Sequence, residues 1–229
     1  MSTGRVRFVG CGPGAADLLT LRAVRAIAAA DVVVWSPTLL AEAVVVEHAR
    51  PDAELVAWPP ATQRDIVAVY DRAAREGLQV VRLKGGDPTF FGELQDDLRE
   101  LRALGVDVEV VPGVTAVSAG AAALCCEIAT AAAPLVLAAA GAPADAGAGV
   151  VGVLNTGRDP AAVAAGLAAR GLAPSTPCAV LVAVSRPGEI VVTCALDELA
   201  ETLRDYGSPG LTTVLAGPAV AAARSGTRR

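Results

Sequence analysis

The sequence predicts an α/β protein with a mostly parallel sheet in its first half and a mixed sheet in its second. Two observations predict the first part. Short apolar runs at 6–9, 79–83 and 108–111 each end in a glycine-rich loop, and two of those loops open into one-sided helices. The third observation is in the second half, where runs at 178–184 and 190–194 flank Arg186-Pro187-Gly188 and read as an antiparallel pair.

The elements follow in order. The strand at 6–9 runs into Gly10-Cys11-Gly12-Pro13-Gly14, and a helix begins near Thr20 with Leu21, Val24 and Ile27 as its inner face. Asp31 ends that helix and 32–35 is the next strand. The unit resembles a dinucleotide fingerprint only superficially. Pro13 follows the second glycine, and Ser36-Pro37 stands where an acidic residue would close the second strand, so a nicotinamide site is not expected. Residues 38–60 read as irregular apart from a strand near Leu55. Thr62 caps a helix to Glu76 whose inner face is Ile66, Val69, Tyr70 and Ala73, with Gly77 as its stop.

The central stretch is Arg82-Leu83-Lys84-Gly85-Gly86-Asp87-Pro88-Thr89-Phe90-Phe91-Gly92. A strand at 79–83 enters it, and a helix at 93–104 leaves it with Leu94, Leu98, Leu101 and Leu104 on one side. In parallel α/β sheets ligands collect at such junctions, because strands end there and helix N-termini point at the crevice. Gly85 and Gly86 permit close approach of backbone to a ligand, and Pro88 stiffens the exit. Lys84 is the single lysine beside 18 arginines.

A strand at 108–111 leads into Pro112-Gly113-Val114-Thr115-Ala116, giving three ligand-facing loops at 10–17, 84–92 and 112–116. The second half reads as a helix at 115–124, a strand at 135–140, a surface loop at 141–149, a strand at 150–154 and a helix at 159–170. After the antiparallel pair come a helix at 196–206, a strand at 211–216 and a frayed tail after Pro218.

Composition narrows the function classes. The 229 residues are 53% hydrophobic but only 3% aromatic, so the apolar content is mostly Ala, Val and Leu. The weakly polar run 114–142 is broken by Glu127 and Pro134 and is too rich in alanine to span a membrane, and a soluble, cytoplasmic protein is expected. A net charge of −5 argues against a broad nucleic-acid surface. Five cysteines without C-x-x-C spacing argue against a disulfide framework or a metal site, and most are expected to be small buried hydrophobes. The single histidine, His48, sits in a polar stretch, which disfavours Ser-His-Asp and Cys-His catalysis.

Three motifs in this order carry a resemblance. They are Val9-Gly10-Cys11-Gly12-Pro13-Gly14 with Asp17-Leu18-Leu19-Thr20-Leu21-Arg22, then Arg82-Leu83-Lys84-Gly85-Gly86-Asp87-Pro88, then Val111-Pro112-Gly113-Val114-Thr115-Ala116. Together they resemble the tetrapyrrole methylase family over nearly the whole chain. The resemblance implies two α/β domains, here 1–112 and 113–229, with S-adenosylmethionine in the cleft between them. It also implies a homodimer and methyl transfer to a ring carbon of a porphyrinoid precursor, leaving S-adenosylhomocysteine.

By the same resemblance, Pro13, Gly85, Gly86, Asp87, Phe90, Thr115, Ala116 and Thr156 match cofactor-contacting positions. Asp87 reads equally as the N-cap of the following helix. Arg22, Arg82, Lys84 and Arg186 either pair with substrate carboxylates or are solvated surface residues. The base that removes the ring proton is Asp17 or a bound water.

The Arg82–Pro88 wording resembles uroporphyrinogen-III methyltransferases. The helix at 63–76, the region around 124–128 and Ser185-Arg186-Pro187-Gly188-Glu189 resemble precorrin-4 C-11 methyltransferases, which the reading favours. The chain departs from the pattern in its alanine-rich 129–140 and at Asn155-Thr156-Gly157, where many members place a Met. Those departures leave room for a non-catalytic relative that binds cofactor or tetrapyrrole. A methyltransferase of this fold acting on RNA or protein is disfavoured by the acidic charge and the lack of a basic or aromatic stripe.

Overall fold

The computed structural model describes residues 4–91, 94–131, 133–139, 149–156 and 159–222. The chain divides into two compact units, Met1–Thr115 and Ala116–Arg229.

The first unit holds β1 (Arg5–Gly10), α1 (Leu21–Ala28), β2 (Val32–Trp35), α2 (Glu42–His48), β3 (Glu54–Ala57), α3 (Gln63–Glu76), β4 (Gln79–Lys84), α4 (Leu94–Ala103) and β5 (Asp107–Val111). Its sheet is wholly parallel, in the order β3-β2-β4-β1-β5. Alternation along the strands sorts the core into two layers. Val9, Val33, Trp35, Val81 and Leu83 meet α1 and α2 through Ala23, Ala26, Ile27 and Val45. Val6, Phe8, Val32, Val34 and Val80 meet α3 and α4 through Ile66, Val69, Tyr70, Leu94 and Leu101 on the other face. From β1 the chain moves to β2 on one side, and from β4 it moves to β5 on the other. The adjacent carboxyl ends of β1 and β4 are therefore the topological switch point, where such sheets bind ligands.

The second unit holds α5 (Ala116–Leu124), β6 (Leu135–Ala139), β7 (Val150–Thr156), α6 (Pro160–Ala169), β8 (Pro177–Val182), β9 (Ile190–Ala195), α7 (Leu199–Tyr206) and β10 (Thr212–Ala216). Its sheet is mixed, ordered β6-β7-β10-β8-β9, with β6–β7 parallel and the other pairs antiparallel. The expected antiparallel pair is β8–β9, in register from Pro177↔Ala195 to Val182↔Ile190.

Caps explain several boundaries. The Thr20 side chain accepts from Ala23 N–H at the start of α1. Thr62 and Asp65 form a reciprocal capping box on α3, and Gly77 ends that helix at φ +75°. The Asp159 side chain caps α6 with Pro160 at its first position.

Four expectations change. Residues 42–48 form a helix, because Val45 can bury against the sheet while Glu42, Val46 and Glu47 stay outside. On α1 the inner face is Ala23, Ala26 and Ile27, whereas Leu21 is 75% exposed and Val24 half-buried. Residues 218–222 form a short 3-10 turn whose Val220 is buried in the second core, so the chain does not fray at Pro218. Of the cysteines, Cys11 and Cys178 are buried, Cys126 and Cys194 half-buried, and Cys125 exposed at φ +53°. The loop expected at 141–149 lies, up to residue 148, outside the described residues, as do Ala140, Gly92, Glu93 and the tail beyond 222.

Candidate functional site

The three motif loops of the first unit meet at the carboxyl edge of β1, β4 and β5. They meet through backbone. Gly12 and Gly86 form an antiparallel bridge, with Gly86 N–H donating to Gly12 O at 2.8 Å and Gly12 N–H to Gly86 O at 3.2 Å. Cys11 N–H donates to Lys84 O at 2.9 Å. Both bridge glycines have positive φ, +70° at Gly12 and +62° at Gly86.

Gly10 and Gly113 are required by space rather than by conformation. A Cβ on Gly10 would lie 2.6 Å from Gly86 O and 2.7 Å from the Gly113 Cα. A Cβ on Gly113 would lie 2.2 Å from Gly86 O. The three motifs read separately in the sequence are thus one backbone platform, with the glycines packed against each other. Gly85 is exposed beside this contact, and a Cβ there would come 3.0 Å from the Leu39 side chain.

Asp87 fastens the platform. One carboxylate oxygen accepts from Thr89 N–H at 2.8 Å and from the Thr89 hydroxyl at 2.6 Å. The other accepts from Gly113 N–H at 3.0 Å, which ties the β4 loop to the β5 loop. Burial alone would raise the Asp87 pKa, but the bonds from Thr89 and Gly113 outweigh it and hold the carboxyl below its ordinary value. The N-cap expectation is corrected. The carboxylate closes a turn at 87–90, where Phe90 N–H donates to Asp87 O, well ahead of α4.

The remaining candidates fall in distinct places. Pro13 and Thr115 are half-buried in the β1 and β5 loops, and Phe90 is 44% exposed after the Asp87 turn. Phe91 beside it is 45% exposed at φ +55°, a conformation bulky residues rarely adopt. Asp17 is exposed in a 3-10 turn at Ala16–Leu18, and Arg22 is exposed on the first turn of α1. Ala116 opens α5 in the second unit. Thr156 ends β7 opposite Thr212, which pairs in turn with Val182, the last residue of β8. Arg186 lies in the turn just after β8, so Thr156 and Arg186 share one edge of the second sheet.

Arg82 and Lys84 point the other way, into the α3–α4 layer. The Arg82 guanidinium donates to the Tyr70 hydroxyl at 2.7 Å and to Asp97 at 2.6 Å, and both partners are buried. The Lys84 ammonium donates to the second Asp97 oxygen at 3.0 Å and lies 5.8 Å from the Phe8 ring centroid. Burial pushes the Tyr70 phenol up, so it stays a neutral partner in this cluster. Arg82 therefore belongs to the core rather than to the solvated surface. Asp97, which completes the cluster, drew no notice in the sequence, where it is one of several acidic residues on a polar helix. Its position three residues after Leu94 and four before Leu101, on their buried face, was the available signal.

Among the described residues no group of three or more His, Cys, Asp or Glu could hold a metal ion, and no helix is long and apolar enough to cross a membrane.

A family model described as Tetrapyrrole (Corrin/Porphyrin) Methylases matches residues 5–200. The chain is 45% identical over 125 residues to a siroheme synthase of Methylococcus capsulatus, a match covering 52% of this chain and 26% of that protein. It is 37% identical over 123 residues to a precorrin-4 C(11)-methyltransferase of Pseudomonas aeruginosa, covering 54% of this chain and 48% of that one. The matches thus span about a quarter and about half of the length of these curated relatives. Among solved structures, a cobalt precorrin-4 methyltransferase described as a cobalamin biosynthetic enzyme matches with TM-score 0.82 at 26% identity, covering 94% of this chain and 95% of that chain. A uroporphyrin-III C-methyl transferase from Thermus thermophilus, complexed with S-adenyl homocysteine, matches with TM-score 0.76 at 31% identity, covering 95% of this chain and 99% of that chain.

Proposed function

The chain belongs to the tetrapyrrole methylase family, and on that premise we propose that it is an S-adenosylmethionine-dependent C-methyltransferase of a tetrapyrrole precursor, with precorrin-4 methylated at C-11. The observation that carries the reading is the glycine platform at the switch point. It offers backbone rather than side-chain chemistry, which suits a donor that is already activated. In the transfer, the methyl carbon's bond to sulfur breaks, its electron pair stays on sulfur, and a bond to the ring carbon forms. The ring later releases a proton, to Asp17 or to a bound water. The protein's part is to hold the methyl in line and keep water out.

Pro13, Gly85, Gly86, Phe90 and Thr115 in the first unit, with Ala116 and Thr156 in the second, are the proposed cofactor contacts. Arg22 and Arg186 are the proposed partners for substrate carboxylates. A homodimer in the cytoplasm is the proposed working form.

A specific observation also favours a second substrate. The 45% identity to a siroheme synthase and the 31% identity to the Thermus enzyme support uroporphyrinogen III as the acceptor. The test is incubation with labelled S-adenosylmethionine and either uroporphyrinogen III or enzymatically generated precorrin-4, followed by mass and label position. Transfer to precorrin-4 alone supports the first reading and transfer to uroporphyrinogen III the second. Transfer to neither, with cofactor bound, favours a relative that has drifted from the usual reaction or is non-catalytic.

A further inference from the structure

We infer that Asp87 is a positioning residue, a clamp between two loops, and that its carboxylate acts on the cofactor only through the platform it holds. The inference rests on the proposed methyltransferase reading. A carboxylate in a glycine-rich ligand loop would ordinarily be assigned to the sulfonium charge or to the amine of the amino-acid end. Here both oxygens are occupied inside the protein: one by the Thr89 N–H and hydroxyl, the other by the Gly113 N–H. The side chain is buried, as is Pro88 beside it.

The geometry shows what the clamp does. Gly113 lies against Gly10 and against the carbonyl oxygen of Gly86, too close for any side chain. Nothing but a fixed backbone register keeps such a contact closed, since glycines supply no side chain to interlock. The Gly12–Gly86 bridge fixes the first loop to the second. The bond from Gly113 to Asp87 fixes the third loop to the second. An ionised carboxylate, with acceptor sites on both oxygens, satisfies the Thr89 donors on one oxygen and Gly113 N–H on the other.

The roles open to Asp87 make different predictions. A carboxylate facing the sulfonium would distinguish S-adenosylmethionine, which is cationic at sulfur, from S-adenosylhomocysteine, which is not. Loss of a direct contact to the amine would instead weaken binding of both ligands without depending on the Thr89 hydroxyl, whereas a clamp treats both ligands alike and does depend on that hydroxyl.

The experiment is calorimetric titration of the full chain and of Asp87→Asn, Asp87→Ala and Thr89→Val with each ligand, alongside thermal melts. In Asp87→Asn the amide keeps an acceptor for Thr89 but presents an N–H to Gly113. The expected result is an affinity loss of about tenfold for both ligands in Asp87→Asn, since a hydrogen bond to a charged group is worth roughly a factor of ten or more. Asp87→Ala should lose about a hundredfold for both, and Thr89→Val less than Asp87→Asn. The ratio of the two affinities stays at its unsubstituted value throughout, and Asp87→Asn stays folded with a modestly lower melting temperature, since it loses the bond from Gly113. Loss confined to S-adenosylmethionine would overturn the clamp in favour of a direct charge contact. Unchanged affinity in a folded Asp87→Ala would also overturn it, as would parental affinity for both ligands in Thr89→Val, which favours a direct contact to the amine. Failure of the unsubstituted chain to bind either ligand would instead overturn the methyltransferase reading.

Discussion

One six-residue stretch, Arg82 to Asp87, builds two regions of opposite character. At its far end Gly85, Gly86 and Asp87 belong to a platform held by backbone contacts at the edge of the sheet. At its near end Arg82 and Lys84 converge on Asp97 between the sheet and the helices α3 and α4. The platform leaves no space for a Cβ at Gly10 or Gly113 but carries little charge. The cluster concentrates charge on side chains packed between the sheet and its helices. The contrast separates binding from stability: damage to the platform should fall on ligand affinity, and damage to the cluster on the folded state.

The largest effect tests the platform. Gly113→Ala places a Cβ 2.2 Å from Gly86 O, backbone against backbone, where no rotamer change gives relief. It should lower S-adenosylhomocysteine affinity by at least about a hundredfold, or ~2.7 kcal/mol, as read by calorimetry. Near-parental affinity would mean the platform is not the binding surface.

Asp97→Ala tests the cluster. It leaves two cations in the α3–α4 layer without their carboxylate, a loss of about 3–5 kcal/mol, measurable as a lower denaturant midpoint. Affinity measured on the folded protein should change little. Lys84→Met is milder, because Arg82 remains to pair with Asp97 and the apolar stem still packs. A loss of about 1 kcal/mol is expected, with the KM for the tetrapyrrole unchanged. A tenfold rise in that KM would return Lys84 to the substrate-carboxylate role its motif suggested.

Acid sharpens the comparison further. The Asp87 pKa is below its ordinary value in the folded chain, so its contribution to stability is complete above about pH 4 and declines as pH falls through the depressed pKa. Stability followed below pH 4 should therefore fall less steeply in Asp87→Asn than in the parent. The smallest effect is chemical. Exposed Cys125 should alkylate first at neutral pH, whereas Cys178, whose thiol burial pushes up to about 12, should label last.

Much of this was legible in the sequence. Strands stood out because their apolar runs end in glycine or proline, and α3 because Thr62, Asp65 and Gly77 mark both its ends. The α2 helix was not legible: its Val44-Val45-Val46 core is β-branched and only seven residues long, so neither propensity nor periodicity marks it. On α1 small alanines took the inward face from Leu21 and Val24, since the helix lies close to the sheet. At the site, glycine spacing located the loops, but the contacts among Gly10, Gly86 and Gly113 join distant segments and leave no local trace. The same holds for Arg82, whose direction depends on strand register and whose partner lies on another element.

The stitching of the platform also sets an order of assembly. Gly12 and its partner Gly86 are separated by α1, β2, α2, β3, α3 and β4, and Gly113 follows only after α4 and β5. During synthesis the bridge can close as soon as β4 has docked beside β1, whereas the Asp87 clamp must await the end of β5. Contacts of such long sequence separation form late and slowly. Competence to bind ligand should thus be the last property the first unit acquires, appearing after its helices and most of its sheet are in place.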